Sequence, residues 1–246
     1  MKKKNIVIIG GASGIGKEIA LHYAADKHQV AVADINKQSL DQLVVESGQG
    51  TLIPLEADAS SWESIELLAE QIKKRFGTIH TLVYSAGITK SISLLEMDWA
   101  VWQKTMAVNL HGLFYSIKFI YPLIESGGSI VIIGSGSAIT GTGGGIQYTA
   151  SKGGAFGLMR SLVQELGNNH ININVVAPRV IESDMLDILY PTEQSKAELK
   201  KAIPIGRLGT PIDVCQAVKY LSSEEGKYVH GQILLLDGGR TYKSVL

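Results

Sequence analysis

Short runs rich in valine and isoleucine recur along the chain, separated by longer segments in which apolar residues return every three or four positions. Residues 6–9, 30–33, 52–55, 81–83, 129–133, 171–176 and 233–236 read as strands. Most lack polar alternation, as expected of strands covered on both faces. Helical periodicity runs over residues 16–25, 38–46, 62–76, 99–123, 148–166 and 211–222. Ser61 stands as N-cap to the third helix, with Ser64 where a capping box would have Glu or Gln. Pro211 opens the last helix, where a missing N–H leaves nothing unpaired.

Strand–helix alternation of this kind predicts an α/β fold: a doubly wound (Rossmann) parallel seven-stranded sheet with helices on both faces and right-handed crossovers. No linker, charge block or low-complexity stretch interrupts it, so residues 1–246 are expected to form a single domain. The least regular stretch is 180–204, and a long excursion in a compact domain is more often functional than idle. A substrate lid is expected at 182–204.

Composition narrows the partners. Lysine plus arginine equals aspartate plus glutamate at 23 each, and nothing in that balance favours nucleic acid or an anionic membrane. The single cysteine, Cys215, lies in an apolar helical pattern and is expected to be a buried thiol in a reducing compartment. The basic start, Met1 to Asn5, precedes an apolar run that stops at Gly10-Gly11, too short for a signal peptide. No stretch reaches the ~20 apolar residues of a membrane span, so a cytoplasmic protein is expected. No metal site is expected either.

The first strand runs into Gly10-Gly11-Ala12-Ser13-Gly14-Ile15-Gly16, and a helix begins at the last glycine. Gly10 suits the tight turn, Gly14 lets the backbone approach a pyrophosphate, and Gly16 permits close helix–strand packing. Ser13 and Ile15 complete the phosphate contacts, with free N–H groups and the helix dipole facing the anion. The second strand ends at Asp34, whose carboxylate would accept the adenosine ribose hydroxyls and repel a 2′-phosphate, so NAD is expected over NADP. Asp58 and Ala59 follow the third strand at the same sheet edge. Asp58 either reaches the adenine amine or serves a turn.

Tyr148 and Lys152 stand four apart on one helical face. A phenol, with a pKa near ~10, becomes a useful proton carrier only when a cation stabilises its anion. Tyr23 and Lys27 share the spacing but read as surface of the first helix. Only Tyr148 follows a strand ending in Gly134-Ser135-Gly136-Ser137 and a loop rich in glycine from Gly141 to Gly145.

These motifs resemble the short-chain dehydrogenase/reductase family. The resemblance rests on the glycine turn, Ala86-Gly87 after the fourth strand, Asn109, Ser135 placed 13 residues before Tyr148, and Tyr148-Thr149-Ala150-Ser151-Lys152. Ile203 to Arg207 and Asp237-Gly238-Gly239 extend it over nearly the whole chain. The pattern is closest to the 3-oxoacyl-carrier-protein reductase and sugar or polyol dehydrogenase branch. By resemblance, Ser135 would hold the substrate oxygen, Tyr148 would exchange its proton, and Lys152 would lower the tyrosine pKa and bind the nicotinamide ribose. Asn109 would position a water linking Lys152 to solvent. Ala86, Gly87, Pro178 and Ile181 would line the coenzyme, and relatives of this kind imply a homotetramer.

Three departures from the family stand out. Tyr84-Ser85 replaces the usual Asn-Asn, Gly136 follows Ser135, and Arg179 replaces the usual glycine after Pro178. Arg179 either clamps a substrate carboxylate or phosphate, or points outward to Glu182 or Asp184. Met185 to Ala202, beginning with a substrate contact at Met185, would set substrate identity. The first expectation is a small polyol, sugar or hydroxy acid; the alternative is a carrier-bound 3-oxoacyl ester. A non-catalytic NAD-binding sensor is disfavoured because all four catalytic candidates are present.

Overall fold

The computed structural model describes residues 3–48, 52–183, 186–187 and 190–242. Seven strands form one parallel sheet: β1 Asn5–Ile9, β2 Gln29–Asp34, β3 Leu52–Glu56, β4 Ile79–Tyr84, β5 Ile124–Ile133, β6 Asn172–Pro178 and β7 Ile233–Leu236. Their order across the sheet is β3-β2-β1-β4-β5-β6-β7. The chain winds outward from β1 to β3, then returns to pair β4 on the other side of β1. That reversal opens a crevice beyond the carboxyl ends of β1 and β4.

Successive residues of one strand feed opposite layers, because strand side chains alternate. Val7 and Ile9 enter a core shared with helices α3 (Trp62–Phe76), α5 (Gly112–Ile120) and α7 (Ile146–Asn168). Ile6 and Ile8 enter the opposite core, with α1 (Gly14–Ala25), α2 (Lys37–Glu46) and the C-terminal helix Pro211–Leu221. All four apolar β1 side chains, Ile6 to Ile9, are buried, and each contributes about 1.5–3 kcal/mol. Cys215 lies in the second core at 0% exposure; burial pushes its thiol up to about 12, leaving it inert.

Two expectations need correction, and two further features complete the picture. Residues 99–123 are not one helix: α4 (Trp99–Met106) passes through a π-helical turn, Ala107–His111, into α5 and then a 3-10 turn at Tyr121–Leu123. Tyr23 is not surface; it is buried and hydrogen-bonds Ser222 Oγ at 2.5 Å, while Lys27 lies beyond the helix with φ +64°. A capping box does occur on the last helix, where Thr210 and Asp213 bond each other's backbone. Finally, the 180–204 excursion contains a helix, Glu193–Lys201, capped by Thr192 and Ser195. Its Leu199 packs with Leu186, Ile203 and Leu208 in a small third core beside Val180 and Tyr190.

Candidate active site

A cleft of about 800 Å³ runs across the carboxyl edge of the sheet. Its first wall is the turn from β1 into α1. Gly10 has φ +74°, and a Cβ there would lie 2.4 Å from the Ala86 backbone, so only glycine lets the two strand ends meet. The amides of Ser85 and Ala86 both donate to the Ile9 carbonyl, closing the switch point. Gly16, behind the turn, presses so near the Gly10 carbonyl that a methyl would sit 2.1 Å from its oxygen.

The start of α1 is built for an anion. Helices at Lys37, Trp62, Trp99, Glu193 and Pro211 each carry a side-chain cap. Ser13, the N-cap of α1, makes none, and the first turn holds no acid. Its N–H groups face the cleft without a side-chain acceptor, the arrangement that suits a pyrophosphate. Asp34 stands at the rim, where Oδ2 accepts from Ala12 N and Oδ1 from Asn36 N, both at 3.0 Å. Each oxygen keeps a lone pair for a ribose hydroxyl. Asp58 Oδ1 accepts from Ser60 N and Ser60 Oγ at 2.8 and 2.7 Å, so its turn role is realised while it also lines the cleft. Ile15, Ala59, Gly87, Pro178 and Ile181 line the same cavity. These residues fit a dinucleotide.

Ser135, Tyr148 and Lys152 converge at the other end. The Ser135 hydroxyl and the Tyr148 phenol line the cleft together, Ser135 near enough to pull the phenol's pKa down, and Ser135 Oγ accepts from Ser137 N at 3.1 Å. Lys152 is 4% exposed; its ammonium lies 5.8 Å from the Tyr148 ring centroid and donates to the Ile133 carbonyl at 2.8 Å. Burial raises the Tyr148 pKa, and the smaller pull of Ser135 lowers it. Burial also brings Lys152 down to about 8. The sequence reading expected the ammonium to acidify the phenol. Burial is the larger influence on the phenol in this structure, and the ammonium donates to the Ile133 carbonyl.

Asn109 is not in the cavity wall. It sits behind Gly87 within the π turn, 1% exposed. Its Oδ1 accepts from Ile88 N at 2.8 Å, and its Nδ2 donates to Ile88 O and Ser151 Oγ, both at 3.0 Å. The amide thus brackets the end of β4 to the helix turn that carries Lys152. Tyr84, one of the departures, supports this bracket: its buried phenol donates to the Val108 carbonyl inside the π turn. A π turn shifts the helix register and frees a carbonyl from its usual partner. Neither the π turn nor its phenol support was read from sequence; Tyr84 was the only signal.

Arg179 lies in the cleft wall, not paired with Glu182; its guanidinium donates to Thr142 Oγ1 at 2.9 Å and Thr241 Oγ1 at 3.0 Å. The alternative partner Asp184, and Met185, fall outside the described residues. Tyr190, Arg240 and Thr142 line the cleft without having been singled out. For Arg240 a signal existed, since it directly follows Asp237-Gly238-Gly239.

A family model described as enoyl-(acyl carrier protein) reductase matches residues 10–241. The 3-oxoacyl-acyl-carrier-protein reductase of Thermotoga maritima is 35% identical over 243 residues, covering 97% of this chain and 98% of that protein. Its Staphylococcus aureus namesake is 31% identical over 241 residues, covering 96% and 97%. Among solved structures, a Brucella melitensis short-chain dehydrogenase/reductase described as a glucose/ribitol dehydrogenase aligns with TM-score 0.92 and 31% identity, covering 96% of each chain. Thermoplasma acidophilum aldohexose dehydrogenase aligns at 0.90 with 25% identity, covering all of this chain and 96% of that one.

Proposed function

The chain belongs to the short-chain dehydrogenase/reductase family and is an oxidoreductase of CH–OH and keto groups, and from that premise we propose that it interconverts 3-oxoacyl and 3-hydroxyacyl groups with NAD(H). The sequence reading put a small polyol, sugar or hydroxy acid first. The 3-oxoacyl alternative has the stronger support, because the relatives that match along their whole length carry that name. The observation that carries the chemistry is the hydroxyl pair Ser135–Tyr148 beside a buried ammonium. Two hydroxyls converging on one point hold a single oxygen, which a ketone and its alcohol have at the reacting carbon and a carbon–carbon double bond lacks.

In reduction, Tyr148 gives its phenolic proton to the substrate oxygen while Ser135 Oγ donates a hydrogen bond to that oxygen; in oxidation the proton returns. Lys152, held by the Ile133 carbonyl, sets a positive field beside the phenol and favours its deprotonated form as the proton leaves. Asn109 acts through position, fixing Ile88 and Ser151 around the lysine. A bound nicotinamide coenzyme supplies or accepts the hydride. Gly10, Ser13, Gly14 and Ile15 would hold its pyrophosphate, Asp34 a ribose, Asp58 and Ala59 the adenine end, and Ala86, Gly87, Pro178 and Ile181 the nicotinamide end.

The Asp34 carboxylate supports NAD(H) over NADP(H), since a 2′-phosphate would meet a like charge. Leu186 and Tyr190, which line the cleft from the 182–204 segment, support its role as a lid and the expected substrate contacts there. Exposed Trp99 and Phe114 on the helices flanking Asn109 support a homotetramer. The buried single cysteine fits a cytoplasmic enzyme. A sugar or polyol substrate is the second reading, favoured by the names of the structural neighbours.

The test measures NADH-linked reduction of acetoacetyl-N-acetylcysteamine and acetoacetate against NAD-linked oxidation of ribitol and glucose. Turnover of the 3-oxo compounds with the higher kcat/KM is expected. Efficient ribitol or glucose oxidation with inert 3-oxo compounds would reverse the assignment, and a clear preference for NADPH would remove the role given to Asp34.

A further inference from the structure

The substrate end of the cleft carries two arginines, and among the described residues neither forms an ion pair with a carboxylate. Arg179 reaches it by an unusual route. Gly136, directly after Ser135, leaves the space its side chain occupies: a Cβ on Gly136 would lie 2.8 Å from Arg179 Cβ and 3.1 Å from its Cδ. Val180 next to it has φ +66°, a conformation that costs a β-branched residue and persists only where surrounding structure imposes it. Gly209 N holds the Val180 carbonyl at 3.1 Å, fixing this bend. The arginine is therefore aimed, at the expense of backbone strain, between the Ser135 turn and the glycine loop that precedes Tyr148.

Its partners there are both neutral. Thr142 and Thr241 each accept from one terminal nitrogen, which orients the guanidinium and leaves its remaining N–H groups without a partner among the described residues. Arg240 lines the same wall, and among the described residues its side chain makes no hydrogen bond or ion pair. The acid whose field reaches Arg179 is Asp237, and backbone amides already hold it: Gly239 N at 2.8 Å and Thr241 N at 2.6 Å. Burial first, and then the neighbouring Arg240 cation, lower the Arg179 pKa. Two partly buried cations beside one carboxylate that amides already hold leave a net positive charge, which favours an anion there.

We infer that Arg179 and Arg240 form an oxyanion-binding subsite at the substrate end of the cleft, so that the substrate carries a carboxylate or phosphate a few bonds from its reacting carbon. The inference rests on the 3-oxo reading for the reacting group and adds the charge beside it. A short free 3-oxo or 3-hydroxy acid satisfies both conditions, whereas a neutral thioester of the same length leaves the cations unpaired. Thr142 and Gly136 are then specificity elements, one steadying the fork and the other making room for it.

The kinetic test compares acetoacetate with methyl acetoacetate, which share the ketone and differ in charge at C1. The wild-type enzyme should favour the acid in kcat/KM, and Arg179→Gln should lower the acid-to-ester ratio by about 10- to 100-fold, chiefly through KM. Arg240→Gln should lower it in the same direction and guards against a folding defect peculiar to position 179. Equal wild-type use of acid and ester, or an equal loss on both in the variants, overturns the subsite. Calorimetric titration of acetoacetate and of inorganic phosphate into the NAD-saturated enzyme reads the site without turnover. Binding lost in Arg179→Gln supports it, the stronger of the two probes identifying carboxylate or phosphate; no binding of either anion to the wild type overturns it. If no 3-oxo probe is reduced yet these anions bind through Arg179, the 3-oxo reading fails and the subsite stands.

Discussion

Lys152 offers a test in which stability and activity move in opposite directions. Its ammonium is 4% exposed, and burial brings its pKa from an ordinary 10.5 to about 8. That difference corresponds to about 3.4 kcal/mol by which folding disfavours the charged lysine. Between the two values the unfolded lysine binds a proton that the folded one has released, so wild-type stability rises with pH across this window. From pH 7 to pH 10 the gain from this one group is about 2.5 kcal/mol. Lys152→Met removes the titration and keeps the bulk. It also leaves the Ile133 carbonyl unpaired, a pH-independent loss of about 1–3 kcal/mol. The buried phenols of Tyr23 and Tyr84 titrate alike in both proteins and cancel from the difference. Urea unfolding of both proteins at pH 7, 8.5 and 10, at one protein concentration, gives that difference directly. Wild type minus variant should increase by about 2.5 kcal/mol over the range, while the variant shows no turnover at any pH. A difference that stays flat to within about 0.5 kcal/mol would mean the folded lysine titrates near its free value, and the argument from burial would be wrong.

Other outcomes follow from the same geometry. Tyr148→Phe should abolish turnover while coenzyme still binds, read by NADH fluorescence; retained activity would remove the phenol from the reaction. Tyr84→Phe deletes the donor to the Val108 carbonyl and should cost about 1–3 kcal/mol in urea unfolding. It should also slow amide exchange less in the Ala107–His111 turn than the wild type does, and unchanged protection there would separate the phenol from the π register. Asp34→Ser should raise kcat/KM for NADPH relative to NADH by at least about 10-fold, the equivalent of about 1.4 kcal/mol. Asp213→Ala removes both the cap on Thr210 and the paired bonds from Arg207 at 2.7 Å; with that arginine exposed, about 1–2 kcal/mol is expected from thermal unfolding.

The sheet was legible because its signal is local. Each strand is a dense β-branched run, and burial on both faces follows from the absence of alternation in segments such as Ile6 to Ile9. The coenzyme turn was legible for the same reason, since every residue of its cradle lies within one short stretch. What escaped depends on distant partners. The π turn at Ala107–His111 is stabilised by a phenol from β4 and an amide link to Ile88, and helical periodicity carries no trace of either. Tyr23 read as surface because its partner, Ser222, lies 199 residues away. The helix Glu193–Lys201 was obscured by its own polarity: only Leu199 is buried, so hardly any apolar stripe marks it. Arg179 was visible as an anomaly, but its direction is set by Gly136 and Val180, through space and through backbone strain.

The contact between positions 136 and 179 also constrains how such a chain can change. With glycine at 179 a methyl at 136 would meet no arginine stem; with Arg179 in place the two would stand 2.8 Å apart. The replacements are therefore conditional on each other, and a one-step route runs through loss of the side chain at 136 before the cation arrives. Transplanting the arginine alone into a relative that keeps a larger residue at 136 should yield a misdirected guanidinium and no new selectivity, whereas moving both together carries the trait.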